Sequence, residues 1–223
     1  MIKTPDLIAS LGANLKPVTR LKPPVVRASF WLLLAIVVLA MLALSQGLRP
    51  DLVQRLGEPT FATCICAALA TGVLAAVAAF LVSLPDRSRL WLLLPVPAFV
   101  AWQTNVGYQC LTQWIEVGPN GFNLGEAARC FSTLALTSLP LSLSMLLMLR
   151  YAAPMRPNAV TLMGSLAVAA ITATALSLFH TVDASLMILM FNLGTAALFV
   201  GLGGTFGRKL FRWVAPQMLP LSE

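Results

Sequence analysis

The chain has 223 residues, of which 58% are hydrophobic and 10% charged, with a mean hydropathy of +0.84. A soluble domain carries about 25% charged residues, so this composition excludes an ordinary soluble globule and points to an integral membrane protein. The formal net charge of +7 then has to be explained by where the basic residues stand.

Residues 1–27 precede the first apolar run. Thr4, Pro5 and Asp6 make a good helix start, with a capping hydroxyl, a proline at the first helical position and an acid in the positive first turn. Leu7, Ile8, Leu11 and Leu15 then recur at helical spacing before Pro17, which predicts a short amphipathic helix. Two uses for its apolar face are open. It can lie on the lipid interface, helped by Lys16, Arg20 and Lys22, or it can dock in a groove of another protein. Pro23 and Pro24 form a stiff joint into the membrane.

Against the roughly 20 apolar residues that cross a bilayer, six stretches read as spans: Ala28 to Ser45, Phe61 to Leu84, Leu90 to Val106, Phe131 to Leu149, Val160 to Leu178 and Ala184 to Phe206. The expected fold is therefore an all-α membrane protein, a bundle of six transmembrane helices over residues 28–207, with a tail at 208–223. With the N-terminus inside, twelve basic residues fall on the inner side: Lys3, Lys16, Arg20, Lys22, Arg27, Arg87, Arg89, Arg150, Arg156, Arg208, Lys209 and Arg212. Only Arg49, Arg55 and Arg129 fall outside, so the charge is topological and nucleic acid is not an expected partner.

None of the six spans contains Asp, Glu, Lys, Arg or His, which counts against an ion pump or a coupled carrier. Small residues recur instead, as in Ala68, Gly72 and Ala76, Ala169 and Ala173, Ala197 and Gly201, and Gly203 and Gly207; such rows predict close helix packing. Pro95 and Pro97 in the third span and Pro140 in the fourth predict kinks. Trp31, Trp91, Trp114 and Trp213 fall near span ends and read as an interfacial belt.

The loop 108–130 is the one long polar interruption, and Cys110 and Cys130 flank it on the outer side, which in a bacterium is the oxidising periplasm. The third and fourth spans are consecutive and antiparallel, so their outer ends are expected to be neighbours. A structural disulfide closing about 20 residues would contribute roughly 3 kcal/mol in the loop-entropy model; a reversible thiol pair that senses oxidants or soft metal ions is the other reading. His180, with Asp183 behind it, falls on the same side and completes a candidate metal set of Cys110, Cys130 and His180 for a transient heavy-metal ion. Cys64 and Cys66, two apart on a helix, point to different sides and read as buried, inert thiols. The chain carries no phosphate-binding loop, no dinucleotide fingerprint and no HExxH, and His180 is its single histidine, so an enzyme is not expected.

Four segments, TPDLIASLGANLKPVTRLKPPVVRASFWL from Thr4, GLRPDL from Gly47, GPNGFNLG before Cys130, and FHTVDASLM from Phe179, together resemble the NrsF-type membrane anti-sigma factors. These are bacterial negative regulators of extracytoplasmic-function sigma factors, and the resemblance runs over essentially the whole chain. It implies six transmembrane helices in the bacterial inner membrane with both termini cytoplasmic. It also implies an N-terminal segment that holds the sigma factor, with Leu7, Ile8, Leu11, Leu15, Lys16, Arg20 and Lys22 as contacts, and a cysteine pair required for the stress response, carried here onto Cys110 and Cys130. No resident cofactor is implied and the oligomeric state is open. A small transporter or channel-like bundle with a structural periplasmic disulfide is the alternative.

Overall fold

A computed structural model describes residues 22–113, 124–149 and 156–179, with the side chains of 109–113, 124–130 and 157 excepted. Six α-helices follow one another: α1 Pro24–Gln46, α2 Leu52–Leu56, α3 Pro59–Val82, α4 Val96–Gln113, α5 Leu124–Leu149 and α6 Pro157–Phe179, with a 3-10 turn at Arg89–Leu93 before α4. No strand occurs among the described residues. Pro24, Pro59 and Pro157 open three of the helices, where their fixed φ is preorganised and the missing N–H costs nothing. Gly47 ends α1 at φ 76°, a left-handed conformation that a residue with a Cβ adopts poorly, and its N–H returns to the Ala43 carbonyl at 3.1 Å.

Among the described residues four helices are long and apolar enough to cross a membrane: Pro24–Gln46, Pro59–Val82, Phe131–Leu149 and Asn158–Phe179. At 1.5 Å per residue each reaches about 30 Å, the thickness of a bilayer's hydrocarbon core. Phe30, Leu33, Ile36 and Met41 on α1, and Phe131, Leu139 and Leu143 on α5, are exposed. Lipid tails are as apolar as these side chains, so in a membrane the exposure carries no penalty.

The expected third span, Leu90 to Val106, is built differently. The backbone makes the 3-10 turn, passes Leu94 and the buried Pro95, and begins a new 18-residue helix at Val96. Pro95 and Pro97 therefore start α4 rather than kink a span, because Pro95 precedes the helix and Pro97 sits in its first turn, where no N–H is needed. Pro140, by contrast, lies inside the continuous α5. The expected sixth span, Ala184 to Phe206, lies outside the described residues, as does the amphipathic helix expected before Pro17.

The centre of the bundle is the α3–α6 pair. Here the small residues bring two backbones together: a Cβ built on Gly72 would stand 2.9 Å from Ile171 Cδ1 and 3.4 Å from the Ala167 carbonyl. Ala68 and Ala76 are buried on the same helix, as is Ala173 on α6, so the expectation of close packing holds for these rows. α4 packs on α3, whereas α5 packs on α6 and α1. The expected neighbourhood of Cys110 and Cys130 falls at ends of α4 and α5 whose side chains lie outside the described residues.

Trp31 is fully buried and belongs to the core rather than to an interfacial belt. Its ring packs with α3, α5 and α6 residues in one cluster with Phe80, Leu141, Met145 and Ile171. Trp91 is exposed, in keeping with the belt, and Trp114 and Trp213 lie outside the described residues.

Candidate functional site

Two polar regions stand at opposite ends of this bundle, and α1 and α5 connect them. At one end the segment GLRPDL is a strap. The Arg49 guanidinium is almost completely buried and donates through Nε and Nη2 to both Asp51 carboxylate oxygens at 2.7 Å. Its carbon lies 5.6 Å from the centre of the Phe61 ring on α3, and its backbone N–H donates to the Leu178 carbonyl at 3.2 Å. One residue thus ties the loop after α1 to the start of α3 and to the last turn of α6. Arg55 adds ion pairs to Asp51 at 3.7 Å and to Glu58 at 3.2 Å. The hydrogen bond from Arg49 and then the fields of Arg49 and Arg55 hold the Asp51 carboxyl down at about 2.

Around this strap, Thr133 Oγ1 on α5 donates to Gln46 Oε1 at the end of α1 at 2.8 Å. Thr63 on α3 is 3.2 Å from Asn105 Oδ1 on α4. Cys110 lies in the last turn of α4 and Cys130 in the second turn of α5, one turn before Thr133. The two expected sensing residues are therefore on helices with different packing partners; their side chains, and His180 with Asp183, lie outside the described residues. Among the described residues no three His, Cys, Asp or Glu side chains come together as a metal site.

Cys64 and Cys66 depart from the expectation of two buried thiols. Cys64 is half-buried beside Ala68, Trp102 and Ala170, but Cys66 is exposed on the other side of α3. The side of α3 bearing Cys66 has no neighbouring helix among the described residues to cover it.

At the opposite end, Arg27 is 6% exposed and sits inside the bundle rather than in the aqueous flank where charge counting put it. Its guanidinium donates to the Met148 carbonyl and lies 5.2 Å from the centre of the Phe80 ring. Met148 is in the last turn of α5, where carbonyls lack intrahelical donors and a cation is favoured by the helix dipole. One turn further along α1, Trp31 Nε1 donates to the Leu141 carbonyl at 3.1 Å. The i, i+4 spacing of Arg27 and Trp31 within PVVRASFWL is the sequence signal that marks them as one face.

Arg156 closes the loop between α3 and α4 by donating to the Arg87 carbonyl at 2.9 Å and the Pro85 carbonyl at 3.4 Å. Of the residues expected to grip a partner protein, Leu7, Ile8, Leu11, Leu15, Lys16 and Arg20 lie outside the described residues. Lys22 is exposed, with its ammonium 5.1 Å from the centre of the Phe30 ring.

The family model NrsF, described as a negative regulator of sigma F, matches residues 11–213 of the chain. No curated protein and no solved structure matches it.

Proposed function

The chain belongs to the NrsF family of negative regulators of sigma F, and on that premise we propose that it is an inner-membrane anti-sigma factor for an extracytoplasmic-function sigma factor. Negative regulation of a sigma factor is what the family does, and it is not an enzyme family. The observation that carries the proposal is the extent of the match, which takes in every described helix and begins at Leu11. Four membrane-crossing helices supply the anchor.

In this reading both termini are cytoplasmic and the N-terminal segment holds the sigma factor at the membrane. Leu7, Ile8, Leu11 and Leu15 are the apolar anchors, with Lys16, Arg20 and Lys22 adding electrostatic attraction. The signal is read on the periplasmic side by Cys110 and Cys130. A peroxide-class oxidant takes two electrons and two protons from the thiols, leaving one disulfide and two waters; alternatively, both thiols lose their protons to bind a soft metal ion, with His180 as a third ligand.

The packing gives such a link something to act on. Cys110 lies in the last turn of a helix seated on α3, and Cys130 in the second turn of a helix seated on α6 and α1. Joining the two pulls on opposite flanks of the α3–α6 pair, which is a route to biasing one bundle packing over another. The experiment is a reporter driven by the sigma factor in cells carrying Leu11→Asp. A charge on the docking face releases the sigma factor and turns the reporter on without stress; continued repression at normal membrane content sinks the docking role.

A further inference from the structure

Pro140 divides α5 into an outer half that carries Cys130 and an inner half that ends at Leu149. Proline has no N–H, so the Leu136 carbonyl loses its donor four residues on, and the ring crowds that carbonyl. In the same turn Thr137 Oγ1 donates back to the Thr133 carbonyl, a bond that itself bends helices. The Pro140 turn is thus the softest point in α5.

α1 lies across that soft point and is hydrogen-bonded to both sides of it. On the outer side Thr133 donates to Gln46 at 2.8 Å. On the inner side Trp31 donates to the Leu141 carbonyl at 3.1 Å, and Arg27 donates to the Met148 carbonyl. Gln46 is the last residue of α1, and Arg27 lies in its first turn, so the ties are spread over the full length of the helix. α5 cannot change its bend at Pro140 without moving α1 or breaking a tie.

We infer that α1 is the transmission element: a change in bend at Pro140, set at the Cys130 end of α5, is carried through the Gln46, Trp31 and Arg27 ties to the start of α1. Pro23 and Pro24 make a stiff joint there, so the displacement passes into the N-terminal segment. This inference rests on the proposed roles of that segment and of Cys110 and Cys130. Arg27, Trp31 and Thr133 act as positioning residues, touching neither oxidant nor sigma factor.

The test uses the full chain in its native membrane, with a sigma-dependent reporter and oxidant as the stimulus. Trp31→Phe with Thr133→Val removes the two donors while keeping an aromatic ring and a β-branched side chain in place. Uncoupling leaves the N-terminal segment able to bind, so basal repression stays at the wild-type level. Induction falls by about tenfold, the factor that two intramembrane hydrogen bonds supply. Thr133→Ser, which retains the hydroxyl, induces like the wild type. Where the double variant is depleted from the membrane, Thr133→Val alone is read, with a proportionately smaller loss.

Wild-type induction in the donor-free variants overturns the inference, as does loss of basal repression at normal membrane content. Cys110→Ser is assayed in parallel to separate the two levels. If Cys110→Ser blunts induction and the donor-free variants do not, only the α1 coupling falls. If Cys110→Ser induces normally, the sensing role falls and the coupling falls with it.

Discussion

The indole nitrogen of Trp31 and the backbone carbonyl of Leu141 are 3.1 Å apart, and both residues are completely buried. In hydrocarbon an indole N–H has no water to turn to, so the carbonyl of a neighbouring helix is its natural partner. The contact joins the first membrane helix to the inner half of α5. Trp31→Phe is expected to cost about 1 to 3 kcal/mol, from one interhelical hydrogen bond and the cavity left by the smaller ring. Trp31→Ala is expected to cost about 3 to 5 kcal/mol through the cavity it leaves. Equilibrium unfolding of the purified chain in detergent checks both.

Gly72 is the tightest point of the α3–α6 contact. A methyl group there meets Ile171 Cδ1 at 2.9 Å and Cγ1 at 3.0 Å, so Gly72→Ala forces Ile171 to shift. Overpacking of this kind costs about 1 to 3 kcal/mol, offset by about 1 kcal/mol of helix propensity. Ile171→Val removes the clashing Cδ1, so the Gly72→Ala, Ile171→Val pair is expected to be more stable than the sum of the single variants. A double-mutant cycle on unfolding free energies measures that coupling.

Much of the bundle was legible from residue order, and the reasons for the remainder are specific. α1, α3, α5 and α6 come from long apolar runs, and their expected bounds differ from the observed ones by a few residues at most, the polar start of α5 aside. The third stretch is less apolar on average, with Gln103, Thr104 and Asn105 near its end, and Pro95 interrupts its backbone hydrogen bonding. Arg27 and Trp31 look like flanking residues when only distance along the chain is considered. What buries them is the approach of α3 and α5, and that depends on which helices pair. The helix-end positions of Cys110 and Cys130 were legible; the different partners of their helices were not.

The hydrogen bond from Arg49 moves the protonation of Asp51 into strong acid. The Asp51 carboxyl is lowered from 3.8 to about 2, first by the hydrogen bond from Arg49. A lowered carboxylate stabilises the fold above its unfolded value, and the contribution is lost as pH falls through the folded value. Melting temperature is therefore expected to owe nothing to this group's titration between neutral pH and about 4, and to fall below that. Asp51→Asn should melt lower than the wild type at neutral pH and converge with it toward about pH 2, as scanning calorimetry of the purified chain would show.

Replacing Cys110 and Cys130 with Ser separates a switch from a staple. A switch leaves repression and membrane content at their normal level while induction by oxidant is blunted. A structural bridge instead costs roughly 3 kcal/mol of stability and depletes the folded chain. Cys66, exposed on α3, is expected to tolerate Ala with no change in either readout. Reporter induction alongside immunoblotting of membranes distinguishes these outcomes.

The central claim is that the N-terminal segment holds a sigma factor at the membrane. Its most direct measurement is the amount of sigma factor that co-sediments with membranes containing the full chain, wild type against Leu11→Asp. The sigma factor is expected to pellet with wild-type membranes and to remain in the supernatant with the variant. Equal pelleting with both, or with neither, at matched membrane content contradicts the account.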